Sequence, residues 1–290
     1  MASFSGRPRR RPARYVVPGL LLAAGLLTGC SAVSGAGQGP ASPATTGATN
    51  AGSTDAATAL QAEFVSVIGR VLPSVVEIRT SSGLGSGVVL DSDGDIVTNA
   101  HVVGAASSFQ VLTATSTGQA TGQDSAGAQP PLTAALVGSC PSDDLAVIRV
   151  GDAAGLHPAT FGDPATVAVG DIVLAIGSPL GLGGSVTEGI VSAIGRSVTE
   201  PASTSAPATV LTDVIQTSAA INPGNSGGAL VSLNGEVIGI PTLAAVNRSE
   251  GGAAPGIGFA IPASTAVRVA GQLADAGRTG SPAVPAGCHR

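Results

Sequence analysis

The feature that most constrains the fold is a series of twelve short runs of aliphatic and β-branched residues, each bounded by turn signals. Regularly spaced runs of this kind predict β-strands. The spacing predicts two β-barrels in tandem that meet near residues 151–165. The first six runs lie at 74–79, 85–90, 95–98, 109–113, 134–137 and 145–150, and the second six at 172–176, 186–194, 210–216, 228–231, 237–240 and 257–261.

The composition suits many short strands joined by turns. The chain has 42 glycines and 20 prolines, which favours an all-β fold. Hydrophobic residues make up 43% but aromatic residues only 2%, so the core must be built from Val, Ile, Leu and Ala. Asn234-Gly235 predicts a two-residue hairpin turn. We expect helices at 60–71 and 264–276, and exposed loops at 115–131 and 200–207.

Residues 1–29 predict a signal peptide of the lipoprotein type. Five arginines between positions 7 and 14 precede an apolar run at 16–27, which is shorter than the ~20 residues of a membrane-spanning helix. The small residues before Cys30 resemble a bacterial lipoprotein cleavage box, so Cys30 is the expected lipidation site. An ordinary secretory signal peptide or a short membrane anchor is the alternative.

The residues that follow the signal peptide predict an acidic extracytoplasmic protein. Segment 30–58 is rich in Ala, Ser, Thr, Gly and Pro and predicts a flexible tether. Without the five arginines, eight basic residues face 18 acidic ones, a net charge of about −10 that argues against nucleic-acid binding. We find no phosphate-binding motif and no metal-spaced Cys/His cluster, and expect no cofactor. Cys140 and Cys288 remain as a disulfide pair or as two thiols.

The segment Gly224-Asn225-Ser226-Gly227-Gly228 places a serine between glycines, where the backbone can approach a substrate carbonyl. A serine hydroxyl needs a base to take its proton. Of the three histidines, only His101 lies in a strand-like pattern, at 98–103, and Asp144 opens the apolar run 144–150. The order His, Asp, Ser is the one found in chymotrypsin-like barrels.

Several stretches, taken in order, resemble the HtrA/DegP-type serine proteases, a branch of the chymotrypsin-like family. The resemblance covers about residues 64–276 and implies two six-stranded antiparallel β-barrels, at about 64–155 and 160–262, within a protease domain at 59–276. A helix at 264–276 and a tail at 277–290 would follow the second barrel. The stretches that carry the resemblance are 85–89, 98–103, 144–150, 170–177, 186–192, 222–230 and 256–262.

The resemblance implies a catalytic triad. Ser226 matches the nucleophile and His101 the general base. Asp144 matches the carboxylate that orients the imidazole, and is preferred to Asp143 because the family aspartate stands immediately before the Leu-Ala pair.

The resemblance also implies an oxyanion hole and a substrate pocket. Backbone N–H groups of Gly224 and Ser226 would bind the oxyanion, with Asn225 shaping the loop between them. The pocket walls would be Ile221, Ala244 and Ala245, which suit a small or medium aliphatic side chain; ordinary core packing is the alternative.

The chain departs from the family in two places. Ser218 replaces the usual Asp, from which we expect an altered loop contact. Only 28 residues follow Pro262, too few for the PDZ domain of typical members.

The expected function is that of a lipid-anchored, extracytoplasmic serine endopeptidase. The resemblance implies unfolded or exposed polypeptides as substrates, a role in envelope protein quality control and, as in many family members, assembly into trimers. The alternatives are a chaperone-like or scaffold binding protein whose oxyanion loop is inactive at rest, and a purely structural barrel.

Overall fold

The structure is a computed structural model that describes residues 51–81, 83–113, 130–177, 184–200, 209–222, 224–247, 252–280, 284 and 286–289. All of them belong to one structural unit, Asn50–Arg290. The expected signal peptide with Cys30, and most of the two expected loops at 115–131 and 200–207, lie outside these residues.

Six antiparallel strands close into a first barrel, called barrel 1, in the order β1-β2-β3-β6-β5-β4. Alternate residues face opposite sides of each strand, and on the strand Asp95–Thr98 both sides are buried. Ile96 and Ile148 belong to a cluster inside the barrel, whereas Val97 and Val147 join a second cluster on its outer face. The strands are β1 (Val75–Arg79), β2 (Leu84–Val89), β3 (Asp95–Thr98), β4 (Ser108–Thr113), β5 (Leu132–Cys140) and β6 (Leu145–Val150).

A second closed barrel, called barrel 2, follows in the order β10-β11-β12-β9-β8-β7, again with antiparallel pairs throughout. The predicted all-β fold of two six-stranded barrels is therefore confirmed. The strands are β7 (Ile172–Gly177), β8 (Ser185–Glu200), β9 (Thr209–Thr217), β10 (Ala229–Ser232), β11 (Val237–Asn247) and β12 (Gly252–Pro262).

Three α-helices accompany the barrels in the described residues: α1 (Ala51–Val71), α2 (Ala100–Val103) and α3 (Ala263–Thr279). Helix α3 buries Ala266, Val269, Ala270 and Leu273, the i, i+3, i+4 and i+7 spacing of one helical face. These side chains share a cluster with residues of both barrels, so α3 packs across the two. No helix among the described residues is long and apolar enough to cross a membrane.

A buried aspartate holds two arginines beside barrel 1. The Asp95 carboxylate, fully buried on β3, accepts hydrogen bonds from Arg149 at 2.6 and 2.8 Å and from Arg278 at 2.8 Å. The hydrogen bond to Asp95 raises the pKa of the Arg149 guanidinium. Because Arg278 lies on α3, this aspartate–arginine network ties α3 to barrel 1. We refer to it below as the arginine network.

Local pattern and structure differ in a few places. Helix α1 begins at Ala51, within the expected tether and before the expected start at 60. Strands β5, β8, β11 and β12 are longer than predicted, because ladder pairing continues beyond the apolar run that marks each strand in the sequence. The turn at Asn234-Gly235 is present, but the connection between β10 and β11 spans four residues rather than two.

The strand-like interpretation of His101 is wrong. Strand β3 ends at Thr98, and His101 lies in the one-turn helix α2. The ladder with β6 also ends at Thr98, so the backbone that follows is free to form the N–H···O=C bonds of a helical turn.

Candidate active site

His101 and Asp144 are in direct contact at one end of barrel 1. Nδ1 of His101 lies 2.9 Å from Oδ2 and 3.0 Å from Oδ1 of Asp144, and the backbone N–H of His101 donates to Oδ1 at 3.0 Å. The Asp144 side chain is 3% exposed and the His101 side chain 29%. The carboxylate is thus buried behind an imidazole that reaches solvent, an arrangement that holds the imidazole in one orientation.

Asp144 occupies an unusual backbone conformation. It ends the tight turn between β5 and β6 and has φ +49°, in the left-handed region. Residues with a side chain seldom adopt this region, although Asp and Asn tolerate it best. Asp143, the neighbouring candidate, accepts a hydrogen bond from the Ser142 hydroxyl at 3.2 Å instead. It is therefore Asp144 that the structure brings to His101.

Ser226 lies in the turn that leads from β9 into β10 of barrel 2, and its side chain is half-buried. Its hydroxyl donates to the backbone carbonyl of Thr242 at 3.2 Å. Its own carbonyl accepts the backbone N–H of Ser86, on β2, at 2.9 Å. This last bond joins the serine turn to barrel 1, the barrel that carries His101 and Asp144.

Thr242 is a site residue that the sequence reasoning missed. Its hydroxyl donates to Oδ2 of Asp144, while its carbonyl accepts the hydroxyl of Ser226. It lies where the pairing of β11 with β12 shifts register, between Pro241 and Leu243. Such a bulge redirects a side chain out of the regular alternation. The only sequence signal was a lone threonine within an apolar strand.

The turn around Ser226 is shaped by close backbone contacts. Gly224 has φ +109° and Gly227 φ +80°, values that favour glycine. The Ser86 hydroxyl donates to the Gly224 carbonyl at 2.5 Å. A Cβ on Gly227 would lie 2.3 Å from the Ser86 carbonyl oxygen, so only glycine fits there.

Asn225 braces the same turn from within. Its side-chain amide donates to the Ala220 carbonyl at 3.0 Å, and its side-chain oxygen accepts the Asn222 N–H at 3.0 Å. Its backbone N–H donates to the Asn222 carbonyl at 3.1 Å. In the described part of the chain, the backbone N–H groups of Gly224 and Ser226 have no acceptor.

The expected pocket residues fall into two groups. The Ile221 side chain is 5% exposed and belongs to the core cluster of barrel 2 with Leu230 and Ala260, the alternative that the sequence leaves open. Ala244 pairs with Gly258 on β12, and Ala245 follows it on β11. The side chains of Ala244 and Ala245 lie outside the described part of the structure.

Ser218 makes a local contact with a neighbouring strand. Its hydroxyl accepts the Ile190 N–H at 3.0 Å, and its backbone N–H donates to the Ile190 carbonyl at 3.1 Å. The residue therefore links β8 to the segment after β9, away from the triad residues.

Cys140, four residues before Asp144 in the sequence, lies next to Cys288. Their sulfur atoms lie at bonding distance, across 148 residues of sequence. Next to them, Ser139 and His289 exchange two backbone hydrogen bonds of 2.7 Å each. Segment 286–289 is thereby attached to the end of β5. Within the described ranges no group of three or more His, Cys, Asp or Glu side chains could hold a metal ion.

A family model described as a trypsin-like peptidase domain matches residues 85–240, which include His101, Asp144 and Ser226. Serine protease PepD of Mycobacterium tuberculosis is 39% identical over 268 residues, covering 89% of this chain and 57% of PepD. Serine endoprotease DegS of Salmonella typhimurium is 40% identical over 203 residues, covering 70% of this chain and 51% of DegS.

The fold is also similar to solved structures. The HtrA-type protease AlgW, determined with a tripeptide, aligns with a TM-score of 0.58 at 38% identity. The alignment covers 73% of this chain and 63% of that one. The chain spans about half the length of the two curated relatives described above.

Proposed function

The chain belongs to the trypsin-like peptidase family and is similar to its HtrA-type members, and from this premise we propose that it is a serine endopeptidase. The observation that carries the proposal is one continuous set of hydrogen bonds. It runs from His101 to Asp144, from Asp144 to Thr242, and from Thr242 to Ser226. This set links three residues in the family order, contributed by both barrels, and it supports the proposal.

In the proposed reaction, Ser226 Oγ attacks the carbonyl carbon of a peptide bond while His101 takes the hydroxyl proton. The oxyanion is stabilised by the N–H groups of Gly224 and Ser226, each worth ~2.7–4 kcal/mol of barrier. As the C–N bond breaks, His101 gives its proton to the leaving amine. Water, deprotonated by His101, then attacks the acyl ester. The bond to Ser226 Oγ breaks, and His101 returns the proton to Oγ. Asp144 stabilises the imidazolium in both steps.

The proposal extends to substrate. Unfolded or exposed polypeptides are the substrates that the similarity to HtrA-type proteases suggests. A small or medium aliphatic side chain at the scissile residue suits a pocket formed by Ala244 and Ala245, with Ile221 packed in the core of barrel 2. Envelope protein quality control is the process that the family membership suggests.

The proposal also extends to location. A disulfide between Cys140 and Cys288 suits an oxidising, extracytoplasmic compartment. Lipidation of Cys30 would anchor the chain at the outer face of the cell membrane through segment 30–58.

A second candidate is a binding protein whose catalytic serine is inactive at rest. The observation that favours it is the Ser226 hydroxyl, which donates its proton to the Thr242 carbonyl. A hydroxyl held in that way must turn before His101 can accept the proton. Such a protein would bind unfolded chains without cutting them.

Labelling of the folded chain with a fluorophosphonate probe separates the two candidates, because the probe reacts only with an activated serine. Wild type, Ser226→Ala and the matched control Ser232→Ala are compared, with cleavage of unfolded casein followed in parallel. We expect labelling and cleavage in wild type and Ser232→Ala, and neither in Ser226→Ala. An unlabelled, folded wild type that still suppresses casein aggregation would favour the binding protein.

A further inference from the structure

We propose that Asn99 is a positioning residue that fixes Asp144 and His101 relative to each other. The inference rests on the proposed function, since it concerns the alignment of the same triad. Asn99 lies between β3 and α2, two residues before His101, and is completely buried. It acts through Asp144 and through the helical turn that carries His101.

The side chain of Asn99 contacts the backbone of Asp144. Nδ2 of Asn99 donates to the Asp144 carbonyl at 2.9 Å, across 45 residues of sequence. Asn99 is also the N-cap residue of α2, a position where an asparagine usually accepts a backbone N–H of the first turn. Here the side chain makes no capping bond. Its amide is committed to Asp144 instead.

The backbone of Asp144 needs such support. Its φ of +49° is a left-handed conformation that is unfavourable for a residue other than glycine and persists only where its surroundings impose it. A hydrogen bond on the Asp144 carbonyl fixes the peptide plane after the residue. The direction in which its carboxylate leaves the backbone, toward His101, depends on that plane.

The backbone of Asn99 meanwhile holds the turn that carries the base. Its carbonyl accepts the N–H groups of Val102 at 3.2 Å and Val103 at 3.4 Å. One residue therefore bonds, through its side chain, to the residue that supplies the carboxylate and, through its carbonyl, to the helical turn around His101.

The other end of the Asn99 amide is unpaired. Oδ1 is buried and has no hydrogen-bond partner among the described residues. An unpaired buried acceptor lowers the stability of the folded state, so its presence requires an explanation beyond stability. The donation from Nδ2 to Asp144 supplies one, because a hydrocarbon side chain would avoid the unpaired oxygen but would leave the Asp144 carbonyl without this donor.

The test compares the full-length chain with Asn99→Asp and Asn99→Ala. Asp keeps the size of Asn but replaces the donor by an acceptor, whereas Ala removes the side chain. We expect both variants to lower the rate of fluorophosphonate labelling and kcat for peptide cleavage about 10–100-fold, with KM unchanged, because a catalytic pair is misaligned rather than removed. Ser74→Ala, another buried polar site outside the triad, serves as the control for lost stability.

A second readout is the downfield proton NMR signal of the His101 Nδ1–H, which reports the bond to Asp144 directly. We expect it to move upfield or disappear in both Asn99 variants and to remain in Ser74→Ala. A folded Asn99→Asp that keeps this signal and labels within twofold of wild type overturns the inference. The signal does not need turnover. A wild type that fails to label therefore refutes the proposed function, while the NMR comparison still decides the role of Asn99.

Discussion

Barrel 1 and barrel 2 contribute to the site in different ways. Barrel 1 carries His101 and Asp144, and its ladder pairing shifts register in a single strand pair, β5 with β6. Barrel 2 carries Ser226 and Thr242, and register shifts occur in three of its strand pairs. Bulges concentrate beside active sites, where they redirect side chains. In the proposed mechanism, the regular barrel orients the base and the irregular barrel presents the nucleophile.

The two barrels also differ in their attachments to other segments and in the number of apolar side chains that they expose. Barrel 1 is linked to α3 by the arginine network and to segment 286–289 by the two backbone hydrogen bonds between Ser139 and His289. Among described strand residues, barrel 1 exposes one large apolar side chain, Leu84, whereas barrel 2 exposes four: Ile190, Ile194, Val210 and Ile257. The proposed reaction depends most on the geometry between His101 and Asp144. These two residues lie in barrel 1, the barrel with these attachments and fewer exposed apolar side chains.

The largest expected effect is on kcat and comes from a substitution in barrel 1 that disturbs the proposed catalytic pair. Asp144→Asn should lower kcat about 10⁴-fold, or about 5 kcal/mol of barrier, because the amide favours the wrong imidazole tautomer. Steady-state cleavage of a peptide substrate measures the effect. Asp143→Asn is the matched control, since its carboxylate bonds to Ser142 and not to His101. Equal losses in the two variants would contradict the assignment of Asp144.

The next effect concerns the proposed disulfide between Cys140 and Cys288. Cys288→Ser should lower the free energy of unfolding by about 2–5 kcal/mol, because a crosslink across 148 residues restricts the unfolded chain. Urea denaturation measures it. Adding a reductant should shift the wild-type midpoint toward that of the variant and leave the variant unchanged. A wild type insensitive to reductant under denaturing conditions would show that the cysteines are not bridged.

The arginine network should have a smaller effect. Arg149→Met removes a two-bond partner from buried Asp95 and should cost about 3 kcal/mol of unfolding free energy. Arg278→Met should cost about 1 kcal/mol or less, since that side chain is 36% exposed and its bonds are screened by water. The ratio of the two, measured in urea, tests whether Arg149 dominates the network. Equal costs would show that it does not.

The smallest expected effects compare the unfolding free energy lost at an exposed residue of barrel 2 with that lost at a buried residue of barrel 1. Ile194→Thr changes an exposed residue of β8 in barrel 2 and should alter the unfolding free energy by no more than about 0.5 kcal/mol. Ile96→Val removes one methylene from the core of barrel 1 and should cost about 0.5–1.5 kcal/mol. Urea midpoints of the two variants are compared. A larger cost for Ile194→Thr would mean that this surface of barrel 2 is covered by another part of the protein.

Much of the fold could be predicted because each strand of both barrels contains a short apolar run that is visible in the local sequence. Each of the twelve predicted runs overlaps a strand, and the order of His101, Asp144 and Ser226 could be read along the chain. The ends of β5, β8, β11 and β12 could not be predicted. Their pairing depends on a neighbouring strand and not on their own apolar pattern. The strand-like reading of His101 failed for the same reason, since α2 begins where pairing with β6 ends.

The sequence by itself determined the class of fold, the turn that carries Ser226 and the residue types needed for a triad, because these depend on neighbours close along the chain. Only the tertiary structure showed which residues besides His101 are the partners of Asp144. Asn99 reaches it across 45 residues and Thr242 across 98. Such contacts depend on how each barrel closes and on one bulge in β11. The register of a closed sheet is set by all of its strands together, which no single segment of sequence records.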